Sequence, residues 1–319
     1  MFKKKYTFIL AMLISLVLVF SGCSNSAVDN SKEDNSNATD TQKEVKSLYP
    51  LTITDGFNRQ VEVEKEPMKV ISLAPSITET IYAIGAGDKL VGRTDYDNYP
   101  EKVSGVSSVG SLSDPSIEEI TKLDPDLIIA STHFKEDVLK KLEELGFKVV
   151  VLVPQESFDG VYDVINTTGK LLNNEKNAKE VIDGMKTKVT KVEELAKGLD
   201  PVDVYYVVGF GEYGDYTATG DTFINDLIEM AGGNNIAKDG EHWSYSLEKI
   251  VEKDPSILIC SKYFDAKKGI EAANGYKDLT AVKNGKLFEI DNNQIDRQGP
   301  RLADGLVEMF KILHPGIYK

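Results

Sequence analysis

The 319-residue chain holds two cysteines, three histidines and a single tryptophan, and each scarcity excludes a class of protein. Two cysteines cannot build a disulfide framework. His133, His242 and His314 stand at no regular spacing, which counts against a zinc or manganese site. Basic residues are also short, with 37 Lys and Arg against 51 Asp and Glu and a formal charge of −14, so the basic face of a nucleic-acid binder is missing. The patterns GxxxxGK[ST], HExxH and GxSxG do not occur, which disfavours a P-loop ATPase, a zincin and a serine hydrolase. Gly85-Ala86-Gly87 and Ala231-Gly232-Gly233 lack the GxGxxG order and read as helix C-caps. What remains is ordinary for a soluble globular protein, 41% apolar and 28% charged, and long enough for about two domains.

The first specific signal is at the N-terminus. Lys3-Lys4-Lys5 precedes an apolar run from Tyr6 to Phe20 and then Ser21-Gly22-Cys23, the order of an export signal. At 15 residues the run is short of the roughly 20 needed to span a bilayer; the alternative is an uncleaved anchor, and either reading puts the rest of the chain outside the cytoplasm. Residues 23–46 are almost wholly polar and cannot bury enough surface to offset ordering entropy, so they read as a flexible tether. Cys260, at the end of the apolar stretch Ser256 to Ile259, reads as a buried small hydrophobe.

The body is expected to be α/β. Short apolar runs alternate with helical patterns: Lys69–Leu73, Leu90–Gly92, Asp126–Ala130 and Lys148–Leu152, then Val202–Val208, Ile257–Cys260 and Lys286–Ile290. Such continuous runs between helices indicate parallel strands covered on both faces. Between the two sets Ala178, Val181, Ile182, Met185, Val189, Val192, Leu195 and Ala196 recur at three- and four-residue steps, predicting one amphipathic helix from about Asn174 to Lys197, ended by Gly198 with Pro201 beyond. The organisation is thus a signal at 1–22, a tether at 23–46, an N-terminal lobe at 47–172, a bridging helix at 173–199 and a C-terminal lobe at 200–319.

The lobes share an internal echo. Ile117–Ser131 aligns without gaps on Leu247–Ser261, with six of fifteen positions identical, which predicts a repeated helix, Asp-Pro turn and strand. Glu118 and Glu248 then hold equivalent places near the start of their helices, where a carboxylate suits the positive end of the dipole.

These residues carry a resemblance to a known family. The opening Thr52–Val61, then Val70–Thr80, Gly85–Gly92, Asp97-Asn98-Tyr99-Pro100, Leu123–Ile128 and Gly299–Gly305 resemble the substrate-binding proteins of ABC importers for cobalamin, haem and ferric siderophores, over nearly everything from Leu51 to Pro315. Arg93–Pro100 and Asp296–Arg301 are most similar to the cobalamin branch. Phe20-Ser21-Gly22-Cys23 is similar to a bacterial lipobox, with Phe20 where Leu is usual, and implies lipidation of Cys23. The resemblance implies two Rossmann-like lobes joined by a long interlobe helix, a cleft between them, little hinge closure and no catalysis. It also implies no cofactor other than a transported ligand, with a corrinoid first and a ferric siderophore or haem as alternatives. Its implied partner is a permease dimer with its ATPase, met by a lipid-anchored monomer on the extracytoplasmic face. An extracellular α/β hydrolase is the competing class.

Ligands of open α/β sheets sit beyond the carboxyl ends of the strands. The loops there carry Arg93, Tyr96, His133, Phe134, Tyr213, Tyr216, Trp243, Asp296 and Arg297 as candidate ligand residues. A large flat ligand needs aromatic walls with a few orienting polar groups. By resemblance Tyr96, Tyr216, Trp243 and Arg297 match positions facing cobalamin, whereas Leu112 and Thr132 stand near where the family carries other cleft tryptophans. Each has a plainer alternative: surface tyrosines, a tryptophan packing the lobe edge, and an arginine paired with Asp296 or a nearby carboxylate. By the same resemblance, Glu118 and Glu248 dock onto arginines of the importer.

Overall fold

A computed structural model describes residues 48–319; the export segment, Cys23 and the tether lie outside them. A hairpin of Leu51–Thr54 (β1) and Gln60–Val63 (β2) comes first. Asp55 ties its turn: Oδ1 accepts the N–H groups of Phe57 and Arg59 at 3.0 and 3.1 Å, and Oδ2 accepts Arg59 Nε at 3.1 Å.

The first lobe follows as Val70–Ser72 (β3), Pro75–Ala83 (α1), Leu90–Arg93 (β4), Ser107–Ser108 (β5), Ile117–Leu123 (α2), Leu127–Ala130 (β6), Glu136–Glu144 (α3), Val149–Val151 (β7) and Phe158–Leu171 (α4). Its sheet is parallel in the order β5-β4-β3-β6-β7. Glu175–Ala196 (α5) is the bridging helix, 22 residues and so about 33 Å long. Of its apolar stripe, Ala178, Met185, Val189 and Val192 are buried, while Val181, Ile182, Leu195 and Ala196 pack against the same core.

The second lobe comprises Val202–Gly209 (β8), Tyr216–Thr217 (β9), Phe223–Met230 (α6), Gly233–Asn235 (β10), Leu247–Lys253 (α7), Ile257–Ser261 (β11), Ala266–Ala272 (α8), Thr280–Lys283 (α9), Leu287–Ile290 (β12), Asn292–Asp296 (α10) and Leu302–Leu313 (α11). Its parallel order is β10-β8-β11-β12, with β9 antiparallel against β8.

Successive strand residues point to opposite faces, and here the two faces feed different cores. Val70, Leu127, Ile129 and Val150 of the first sheet and Val204, Tyr206, Ile257, Ile259 and Ile290 of the second share one continuous cluster with α1, α4, α5, α6 and α11. The alternate residues, Ile71, Ile128, Ala130, Val149 and Val151 or Tyr205, Val207, Leu258, Cys260 and Leu287, enter a separate core on the other face of each lobe. Each fully buried Ile or Leu contributes about 1.5–3 kcal/mol, so the shared cluster binds the lobes firmly. Phe158 of α4 meets Phe223 of α6 edge to face at 5.9 Å within it.

The repeat is structural. Ser116 and Ser246 cap α2 and α7 by accepting the N–H of Glu119 and Lys249, and Asp124 and Asp254 end the two helices in the left-handed conformation, φ 49° and 38°. Each helix then leads into a strand flanked on both sides, β6 between β3 and β7, and β11 between β8 and β12. Gly85 and Gly232 follow α1 and α6 at φ 81° and 77°, as expected of helix C-caps.

Candidate ligand cleft

The strand ends of the second lobe enclose a cavity of about 380 Å³. Tyr206, Val207 and Val208 of β8 and Phe223 and Ile224 of α6 supply its apolar wall; Ser261 closes β11, Asn292, Ile295 and Asp296 come from α10, and Gln298 follows. Glu156, in the loop after β7, is the lining residue from the first lobe. Thr222 caps α6, accepting Asn225 N–H at 3.3 Å, and so sets the start of that helix at the cavity beside Asp221.

Trp243 stands at the cavity with its indole 41% exposed. Its backbone is left-handed, φ 64°, and is held by two hydrogen bonds: its N–H donates to Thr219 Oγ1 at 3.1 Å and its carbonyl accepts Thr217 N–H at 2.9 Å. Thr219 in turn donates to Asp221 at 2.5 Å, and the backbone N–H of His242 donates to the other Asp221 oxygen at 3.0 Å. These donors hold the Asp221 carboxyl below its ordinary value. Tyr216 is exposed on β9, its ring so close to Gly209 that a Cβ there would lie 2.9 Å from the ring.

On α10, Ser261 donates to Asn292 Oδ1 at 2.7 Å, and Asn292 Nδ2 donates to Asp296 Oδ2 at 2.7 Å. Asp296 is exposed as a residue, yet desolvation by the protein packed around its carboxyl raises the pKa, outweighing the hydrogen bond from Asn292 and the charge of Arg297. The Gln298 side-chain oxygen is buried without a hydrogen-bond partner.

Trp243 and Asp296 are therefore the expected ligand residues that line this cavity, and the others are placed differently. Tyr96 is exposed, in a loop held by Asp97, whose Oδ2 accepts Thr94 N–H at 2.8 Å; burial raises the Asp97 carboxyl above its usual range. Arg93 donates to the carbonyls of Val103 and Thr94 at 3.1 and 2.7 Å, bracing its own loop. Arg297 pairs with a carboxylate other than Asp296: it donates to Glu79 Oε1 at 2.9 Å, Asn98 Oδ1 at 2.8 Å and the Tyr96 carbonyl at 3.1 Å. That is the plainer alternative for Arg297, a nearby carboxylate, here the buried Glu79 on α1. Phe134 is placed away from the cavity. His133 turns through φ 73° and stays exposed, which sends Phe134 inward, 7% exposed, into the first lobe's own core. Tyr213 lies in a short 3₁₀ turn, Gly211–Tyr213. Glu118 and Glu248 are exposed in the first turns of α2 and α7, and Glu118 meets Lys122 at 2.8 Å.

Sequence reasoning passed over Glu156, Asp221, Asn292 and Gln298. All four follow a strand or precede a helix start, so the strand-end rule was the available signal; it was applied mainly to aromatic and basic residues, with Asp296 the one acid and no amide among them.

A family model described as periplasmic binding protein matches residues 70–294. An uncharacterized ABC transporter substrate-binding lipoprotein of Bacillus subtilis, YvrC, is 32% identical over 99% of this chain and 99% of its own length. A cobalamin-binding protein of Halobacterium salinarum is 29% identical over 83% of this chain and 74% of that protein. Among solved structures, a possible iron-binding, periplasmic solute-binding protein of Staphylococcus epidermidis superposes with a TM-score of 0.68 at 34% identity, over 80% of this chain and 100% of that one.

Proposed function

We propose, from the premise that the chain belongs to the periplasmic binding protein family, that it captures a corrinoid in the interlobe cleft and hands it to its importer. Membership makes it a substrate-binding protein of an ABC importer, working with a permease and an ATPase, rather than an enzyme. The observation that carries the corrinoid reading is the charge of the cavity. Glu156, Asp221 and Asp296 line it, and among the described residues no Lys, Arg or His does. A haem with two propionates, or a catecholate chelate, would meet carboxylates without a compensating cation, at a cost in repulsion and desolvation. A corrinoid presents a neutral to cationic ring with an amide-bearing edge, and Trp243, exposed at the cavity, offers an aromatic face that a flat ring packs against. The cobalamin-binding relative is consistent with this reading.

A second reading, a cationic ferric hydroxamate, is favoured by the same acids and by the iron-binding description of the staphylococcal structure. Calorimetric titration with cobalamin, cobinamide, haem, a ferric hydroxamate and a ferric catecholate separates them. Saturable heat with the corrinoids alone is expected; tight binding of the hydroxamate with none of a corrinoid moves the function to iron.

The continuous core through both lobes supports capture with little hinge closure. Glu118 and Glu248, at equivalent positions of the two repeats, are the proposed contacts to a two-fold permease, and Cys23 is the proposed lipid attachment on the extracytoplasmic face. No helix among the described residues is long and apolar enough to cross a membrane.

A further inference from the structure

The polar wall of the cavity is one-sided in its charge: Glu156, Asp221 and Asp296 line it, and among the described residues no Lys, Arg or His does. Several of its polar groups are bonded within the wall: Ser261 donates to Asn292, Asn292 to Asp296 at 2.7 Å, and Thr222 to the Thr219 carbonyl at 2.8 Å. Asp296 keeps a carboxylate oxygen beyond the one bound by Asn292, and Glu156 lines the cavity from the other lobe.

We infer that this wall reads N–H donors at the edge of the ligand, so that the protein selects fully amidated corrinoids and rejects the same ring carrying carboxylates. The inference rests on the corrinoid reading and adds to it a chemical test that the ligand must pass. An amide edge donates to Asp296 and Glu156 together. A carboxylate edge donates to neither of them and places like charges against two acids, and sites that bind a donor by burying its acceptors discriminate strongly against analogues lacking it. It follows that the captured molecule comes from a step after ring amidation, and that hydrolysed corrinoids stay outside.

The test uses the full chain in detergent, titrated by calorimetry at pH 7.5 with cobinamide, whose ring edge carries amides, and with cobyrinic acid, the corresponding ring with carboxylates. Cobinamide is expected to bind at least tenfold more tightly, and Asp296→Asn to narrow that ratio at least threefold by removing one of the repelling charges. Equal affinity for the two ligands, or a ratio unchanged in Asp296→Asn, overturns the inference while leaving the corrinoid reading intact. Binding of neither ligand overturns the corrinoid reading itself.

Discussion

Glu79 grips Arg301 with both carboxylate oxygens, Oε2 accepting Nε at 2.8 Å and Oε1 accepting Nη2 at 2.7 Å. Arg297 shares Oε1, and Glu79 is only 3% exposed. Because Glu79 lies on α1 of the first lobe and both arginines lie between α10 and α11, the group ties the lobes beside the cleft. Tyr99 stacks on the Arg301 guanidinium at 4.1 Å and shields it. Removing one partner of a buried ion pair leaves the other charge uncompensated and costs about 3–5 kcal/mol. Glu79→Ala is therefore expected to lower unfolding stability by about that amount in urea titration. Arg297→Ala is expected to lose stability too; loss of ligand affinity at unchanged stability would instead show Arg297 acting on the ligand.

Acid weakens the hairpin through Asp55. Burial works to raise its pKa, but the side-chain bond from Arg59 and the backbone N–H groups of Arg59 and Phe57 outweigh it and hold the carboxyl below its usual range. A carboxylate whose folded pKa is depressed adds stability above its unfolded value, and that stability is lost as pH falls through the folded one. Wild type should exceed Asp55→Asn in urea midpoint at pH 7, with the gap closing as pH drops below about 4, the ordinary Asp value. A gap that is constant with pH contradicts this assignment.

Glu118 and Glu248 distinguish docking from helix capping. Each is exposed in the first turn of its own helix, where solvent screens its interaction with the dipole, so the double change to Ala should shift the melting temperature only slightly and leave ligand affinity intact. Uptake in cells carrying the permease and ATPase should be lost. Wild-type uptake by the double variant leaves capping as the whole role of the two acids.

Cys23→Ala should release the protein from the membrane fraction. Mass spectrometry of the mature N-terminus checks it directly; a lipidated product from the variant contradicts anchoring at Cys23.

Much of the fold was legible because its signals are local. The two sets of apolar runs are the strands, and the stripe from Ala178 to Ala196 ends within a residue of the observed α5. The repeat announced matching turns, and its serine caps, Ser116 and Ser246, stand one residue outside the aligned stretch. The strands β1, β2, β5, β9 and β10 were missed, being two to four residues long and stabilised by pairing rather than by pattern. At the cleft, Trp243 and Asp296 were legible from their place after strands. The engagement of Arg297 by Glu79 was not, since 218 residues separate them and only the packed lobes bring them together. Phe134 was misplaced for a similar reason: one left-handed residue, His133, decides whether its ring faces the cleft or the core.

The central claim is that a corrinoid occupies the cleft against Trp243, and the chain's single tryptophan reports on it. A corrin ring beside the indole quenches its emission, so fluorescence should fall saturably, at one ligand per chain, as cobinamide or cobalamin is added. Trp243→Phe should abolish the signal while calorimetry still detects binding. Unchanged emission and no heat with either corrinoid, alongside saturable binding of a ferric siderophore, would contradict the account.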